Sequence, residues 1–95
     1  LIGETDTASP FLTALGSGAG VNTTGINNTA VGYLALNANA SGTYNTAVGA
    51  DALELNTTGV RNTAVGYSSL DANTTGAYNT AVGYRIWGFT SCNVW

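Results

Sequence analysis

Short runs of alternating polar and apolar residues recur along the chain at a fixed interval. Asn28-Thr29-Ala30-Val31-Gly32 returns as Asn45-Thr46-Ala47-Val48-Gly49, Asn62-Thr63-Ala64-Val65-Gly66 and Asn79-Thr80-Ala81-Val82-Gly83, 17 residues apart each time. A degenerate copy, Thr13-Ala14-Leu15-Gly16, stands 16 residues before the first. Inside the motif Thr, Ala and Val alternate as in a strand, with Thr and Val on one face and Ala on the other. A helix is a poor alternative, because β-branched residues and fixed glycines both cost helix stability. A period this strict marks one structural unit stacked on itself.

Aligned without gaps, the repeats occupy residues 22–38, 39–55, 56–72 and 73–89. Two aliphatic columns emerge, Val31, Val48, Val65 and Val82, and then Leu36, Leu53, Leu70 and Trp87. These are the predicted core. Each repeat opens on Asn22, Asn39, Asn56 or Asn73, with Gly25, Gly42, Gly59 or Gly76 three residues later. Asn-Thr-Thr-Gly is turn chemistry, since Asn tolerates left-handed backbone and makes local side-chain bonds. Stacking would set identical Asn amides one above another, where they can form ladders. The predicted fold is therefore all-β, a parallel β-solenoid (β-roll) of about five 17-residue coils, with two short strands per coil. Residues 1–21 read as an irregular N-terminal segment carrying the degenerate repeat. Residues 22–89 are the solenoid, and 90–95 a partial coil.

Seventeen residues trace a loop of roughly 55 Å, and five rungs stack to about 20–25 Å. Two buried aliphatic anchors at about 1.5–3 kcal/mol each do not obviously offset the ordering of a whole coil. The predicted remedy is a second copy of the chain, beside it as in a trimer or end to end. The register at the termini fits either end-to-end stacking or a cut within a longer array: the chain stops where the next Asn-Thr-Ala-Val-Gly would begin, and Leu1-Ile2-Gly3 resembles the tail of that strand. Leu1, Ile2, Phe89, Val94 and Trp95 are the candidate end-to-end contacts.

Composition narrows the function. The chain has 13 Gly, one Pro, no His, five acidic and two basic residues, and a net charge of −3. Two isolated arginines do not make a nucleic-acid groove or a surface for anionic lipid. No apolar run reaches the length of a membrane span. Cys92 is alone, so an internal disulfide cannot form. With no His, and with Asp51, Glu54 and Asp71 scattered over different coils, neither catalysis, a cofactor nor a metal site is expected.

Three surface features remain. Asn22, Asn27, Asn39, Asn56 and Asn73 each begin an Asn-x-Ser/Thr sequon and are candidate N-glycosylation acceptors. Thr29, Thr46, Thr63 and Thr80 form a column of the kind that ice-binding solenoids present, beside a second column of Thr23, Thr57 and Thr74 broken by Ala40. Tyr33, Tyr44, Tyr67, Tyr78 and Tyr84 suit either packing between coils or stacking on sugars.

The Asn-Thr-Ala-Val-Gly strand with its following Tyr-x-x-Leu resembles the head repeats of trimeric autotransporter adhesins. It resembles more closely the Asn-Thr-Thr-Gly-x-x-Asn-Thr-Ala-Val-Gly-Tyr arrays of phage tail-fibre-like and bacterial surface proteins, over Asn22 to Tyr84. That resemblance implies a parallel β-roll, commonly trimeric, serving as a rigid stalk or head outside the cell or on a virion. The expected function is a structural, self-assembling fibre subunit. The alternatives are an adhesin head that binds a host surface or glycan, and an ice-binding solenoid.

Overall fold

A computed structural model describes residues 12–86 of the chain. Five three-residue strands, β1 (Thr13–Leu15), β2 (Thr29–Val31), β3 (Thr46–Val48), β4 (Thr63–Val65) and β5 (Thr80–Val82), form one sheet in chain order. All neighbours pair in parallel, Thr on Thr and Ala on Ala, with Val31, Val48, Val65 and Val82 in line behind Leu15. The predicted solenoid is present: four turns join five strands, the first 16 residues long and the others 17.

One strand per coil replaces the predicted two. The stretch from the motif glycine to the next Asn is a run of tight turns instead. Ala35 N–H donates to Gly32 C=O, Asn37 N–H to Leu34 C=O and Asn39 N–H to Leu36 C=O. The intervening amides leave the coil, Leu34 N–H donating back to Ser17 C=O, and Leu36 N–H forward to Ala52 C=O. This zigzag needs left-handed backbone at every second residue. Leu34 (φ 59°), Leu36 (φ 52°), Asp51 (φ 61°), Leu53 (φ 51°), Ser68 (φ 53°) and Leu70 (φ 54°) all adopt it. The conformation costs roughly 1–2 kcal/mol per non-Gly residue. At Leu36, Leu53 and Leu70 it turns the side chain wholly inward, and burial returns about 1.5–3 kcal/mol. In the first coil glycines, Gly18 and Gly20, occupy the equivalent places.

The core also differs from the predicted one. Ala30, Ala47, Ala64 and Ala81 are fully buried, whereas Val31, Val48 and Val65 are half-buried and Val82 is exposed. The strand's inward face is Ala, and Val shares the outward face with Thr. Volume is the reason. The coil interior already holds Leu36, Leu53 or Leu70 and two Asn side chains, all buried, so only a methyl fits opposite. Ala35, Ala52 and Ser69 complete the filling, Ser69 Oγ donating to Ala81 C=O at 3.2 Å. Trp87 lies outside the described residues.

Two glycine columns are imposed by stacking. Gly49 has φ 129°, and a Cβ there would lie 2.7 Å from the Gly66 carbonyl carbon. A Cβ on Gly59 would run into the Gly76 carbonyl and Asn56 Oδ1. Gly49→Ala is therefore expected to lose about 3 kcal/mol of stability. Ser68→Gly, which relaxes a left-handed residue, should hold or gain up to about 1 kcal/mol. Denaturant midpoints check both. Equal midpoints for the two variants would contradict the stacking geometry.

Candidate functional site

The chemistry of this fold is concentrated inside it, in two columns of asparagine. The corner asparagines Asn39, Asn56 and Asn73 and the strand asparagines Asn28, Asn45, Asn62 and Asn79 are all buried. Asn73 Nδ2 donates to Asn56 Oδ1 at 2.8 Å, and Asn56 Nδ2 to Asn39 Oδ1 at 2.7 Å. The second Nδ2 hydrogen of each stays in its own coil, Asn39 donating to Gly42 C=O at 2.9 Å and Asn56 to Gly59 C=O at 3.1 Å. The strand column works differently. Asn45 Oδ1 accepts the backbone N–H of Asn62 at 2.9 Å, while Asn45 Nδ2 reaches Gly59 C=O at 2.8 Å. Asn28 and Asn62 repeat both bonds one coil earlier and later.

Each corner carbonyl, Gly42, Gly59 or Gly76, thus accepts two amide hydrogens. One comes from the corner Asn of its own coil, the other from the strand Asn of the coil before. A carbonyl has two lone pairs, so the site is saturated. The orientation of each amide is fixed as well, because a flip would set oxygen against oxygen. Among the described residues no buried side-chain polar atom lacks a partner.

The columns end in the first coil. Leu12, buried, stands in the place of a strand Asn, and its methyls approach the space that a side chain on Gly20 would fill. Thr23 Oγ1 accepts from Asn39 Nδ2 at 2.6 Å and from Gly25 N–H at 3.1 Å. Thr23, not Asn22, therefore continues the corner column, which corrects the gap-free alignment. The cause is the shorter first turn, which moves Asn22 out to solvent.

The sequons fall into two environments. Asn22 and Asn27 are exposed, whereas Asn39, Asn56 and Asn73 are the corner ladder itself. Nothing in the sequence separated them, since all five carry the same acceptor motif. Thr29, Thr46, Thr63 and Thr80 line the outward sheet face beside the valines. All five tyrosines are exposed, yet several ring faces are occupied by neighbours. Tyr67 and Tyr84 stack with centroids 5.5 Å apart and planes 19° apart. The Arg61 guanidinium lies 4.7 Å over Tyr44 and 6.0 Å from Tyr78, and Arg85 lies 5.6 Å from Tyr84, within cation–π range. Leu1, Ile2, Phe89, Val94 and Trp95 lie outside the described residues.

Partial burial first, and then the charges of Asp51 and Asp71, hold the Glu54 carboxyl above its ordinary pKa. Among the described residues no three acidic, His or Cys side chains gather to hold a metal ion, and no helix is long and apolar enough to cross a membrane. A shallow open recess is lined by Ser68, Asp71, Ala72 and Arg85. Comparison with protein-family models, with curated proteins and with solved structures returns no significant match. The class that the geometry defines is a parallel β-solenoid with a polar, hydrogen-bonded interior.

Replacing Asn62 tests that interior. Asn62→Ala takes the Oδ1 acceptor from Asn79 N–H, at about 1–3 kcal/mol, and one of the two donors from Gly76 C=O, which keeps Asn73 Nδ2, at about 1 kcal/mol. Asn62→Asp keeps the acceptor for Asn79 N–H but turns an oxygen on Gly76 C=O. Both variants should therefore lose about 2 kcal/mol or more, and Asp should fare worse at neutral pH than at pH 3, where its carboxyl can donate. Urea melts at the two pH values check this. A neutral-pH loss under about 1 kcal/mol would show that the amide does not need its partners.

Proposed function

We propose that the chain is a structural unit of an extracellular or virion-surface fibre, a rigid rod that assembles with copies of itself. One observation supports this above the others. Coils bond to the coil before and the coil after through the same backbone and Asn contacts, so the unit is additive along its axis. The resemblance to adhesin-head and tail-fibre-like arrays points the same way, with a trimer or a head-to-tail filament as the assembled form. Sedimentation velocity at micromolar concentration and negative-stain micrographs are the test. Trimeric rods or filaments are expected, and a discrete monomer would overturn the reading.

A second reading, ice binding, draws on the outward placement of the strand threonines. Thr29, Thr46, Thr63 and Thr80 stand in register, about 4.8 Å apart, with Val between them and the next turn. The result is an uncharged array of hydroxyls and methyls. Thermal hysteresis at millimolar protein, lost in Thr46→Lys and kept in Thr58→Lys, is the expected outcome of this reading. No hysteresis in the parent chain dismisses it. The glycan-binding adhesin has less support, because Tyr67, Tyr84, Tyr44 and Tyr78 already stack on side chains of neighbouring coils.

A further inference from the structure

We infer that the five sequons divide into two glycan acceptors, Asn22 and Asn27, and three positions, Asn39, Asn56 and Asn73, where an N-linked glycan and the fold exclude each other. The corner asparagines use both hydrogens of Nδ2. Asn56 donates one to Gly59 C=O at 3.1 Å and one to Asn39 Oδ1 at 2.7 Å. Asn73 does the same with Gly76 C=O at 3.2 Å and Asn56 Oδ1 at 2.8 Å. Asn39 uses Gly42 C=O and Thr23 Oγ1.

N-glycosylation removes one of these hydrogens. Sequon Nδ2 attacks the anomeric carbon of a lipid-diphosphate-linked oligosaccharide. The N–C1 bond forms, the C1–O bond to the diphosphate breaks, and Nδ2 loses one proton to a base of the transferase. A single N–H then remains for two acceptors. The sugar ring must also occupy the place of one of them, inside a coil whose walls are Ala47 or Ala64 and Leu53 or Leu70, all fully buried. No rotation of the amide relieves this, because the two acceptors lie in different coils.

The transferase acts on extended chain, and there all five sequons are equivalent. Modification before folding at any corner therefore interrupts the column at that coil, while modification at exposed Asn22 or Asn27 leaves it whole. The chain folds only where its corner asparagines escape the transferase, either in a cell without one or by folding first. A glycan row along the solenoid edge is ruled out by the same geometry.

Secretion from a glycosylating eukaryotic cell, with folded and unfolded fractions separated and each glycan mapped by peptide mass, tests this. The folded fraction should carry glycan at Asn22 or Asn27 alone, and glycan on Asn39, Asn56 or Asn73 should be confined to the unfolded fraction. The triple variant Ser41→Ala, Thr58→Val, Thr75→Val removes the three corner sequons through exposed side chains. It should raise the folded yield several-fold over the parent in that cell. The same variant made in the bacterial cytosol should match the parent, which separates loss of glycan from any effect of the substitutions. A folded, cooperatively unfolding fraction with glycan on any corner asparagine would overturn the inference.

Discussion

A buried carbonyl that accepts two amide hydrogens from two coils, at Gly42, Gly59 and Gly76, is the constraint on which the rest of this solenoid depends. Each hydrogen bond is worth only about 0.5–1.5 kcal/mol net. Leaving one unmade inside the coil costs more, because water cannot reach the orphaned group. The column therefore acts chiefly by specifying register. A one-residue slip would set every corner Asn against the wrong carbonyl at once, and would turn the strand's methyl face outward. In a sheet whose strands are three residues long, backbone pairing alone would not specify register so firmly.

Other features follow from that junction. Corner carbonyls stack closely enough that no side chain fits at Gly42 or Gly59. The amides need most of the interior, so the strand contributes only Ala, and the apolar volume comes from one leucine per coil. That leucine reaches the interior through left-handed backbone, a conformation held by alternating bonds within the coil and to both neighbours. In the first coil Leu12 takes the strand-Asn place, Gly20 the leucine place and Thr23 the corner-Asn place. Leu12 methyls reach into the space that Gly20 leaves, and Thr23 Oγ1 accepts the Asn39 amide hydrogen at the end of the corner column.

The sequence made the period, the parallel stacking and the amide columns legible, because identity at 17-residue spacing leaves few other geometries. The inward face was harder to read. Val outranks Ala on any hydrophobic scale, and only the space taken by Leu53 and the two asparagines of a coil reverses the order. The clue was present in the Ala column, which is unbroken from Ala14 to Ala81 while its aliphatic neighbour shifts between Leu and Val. The turn run was hidden for a related reason, since Leu, Ser and Arg at that place give no warning of left-handed backbone and Asp51 alone tolerates it readily. Gly18 and Gly20, at the equivalent places in the first coil, were the signal available. Burial of the corner sequons could not be read from a motif shared with Asn22 and Asn27.

The most direct test of the ladder is the exchange of its own hydrogens. Hydrogen–deuterium exchange followed by NMR can compare the side-chain amides of Asn45, Asn56 and Asn62 with the backbone amides of Ala47 and Ala64. If the columns hold the coil together, both sets are opened only by global unfolding and share one protection factor. Side-chain amides that exchange as fast as a solvent-exposed asparagine, while the strand amides stay protected, would contradict the account.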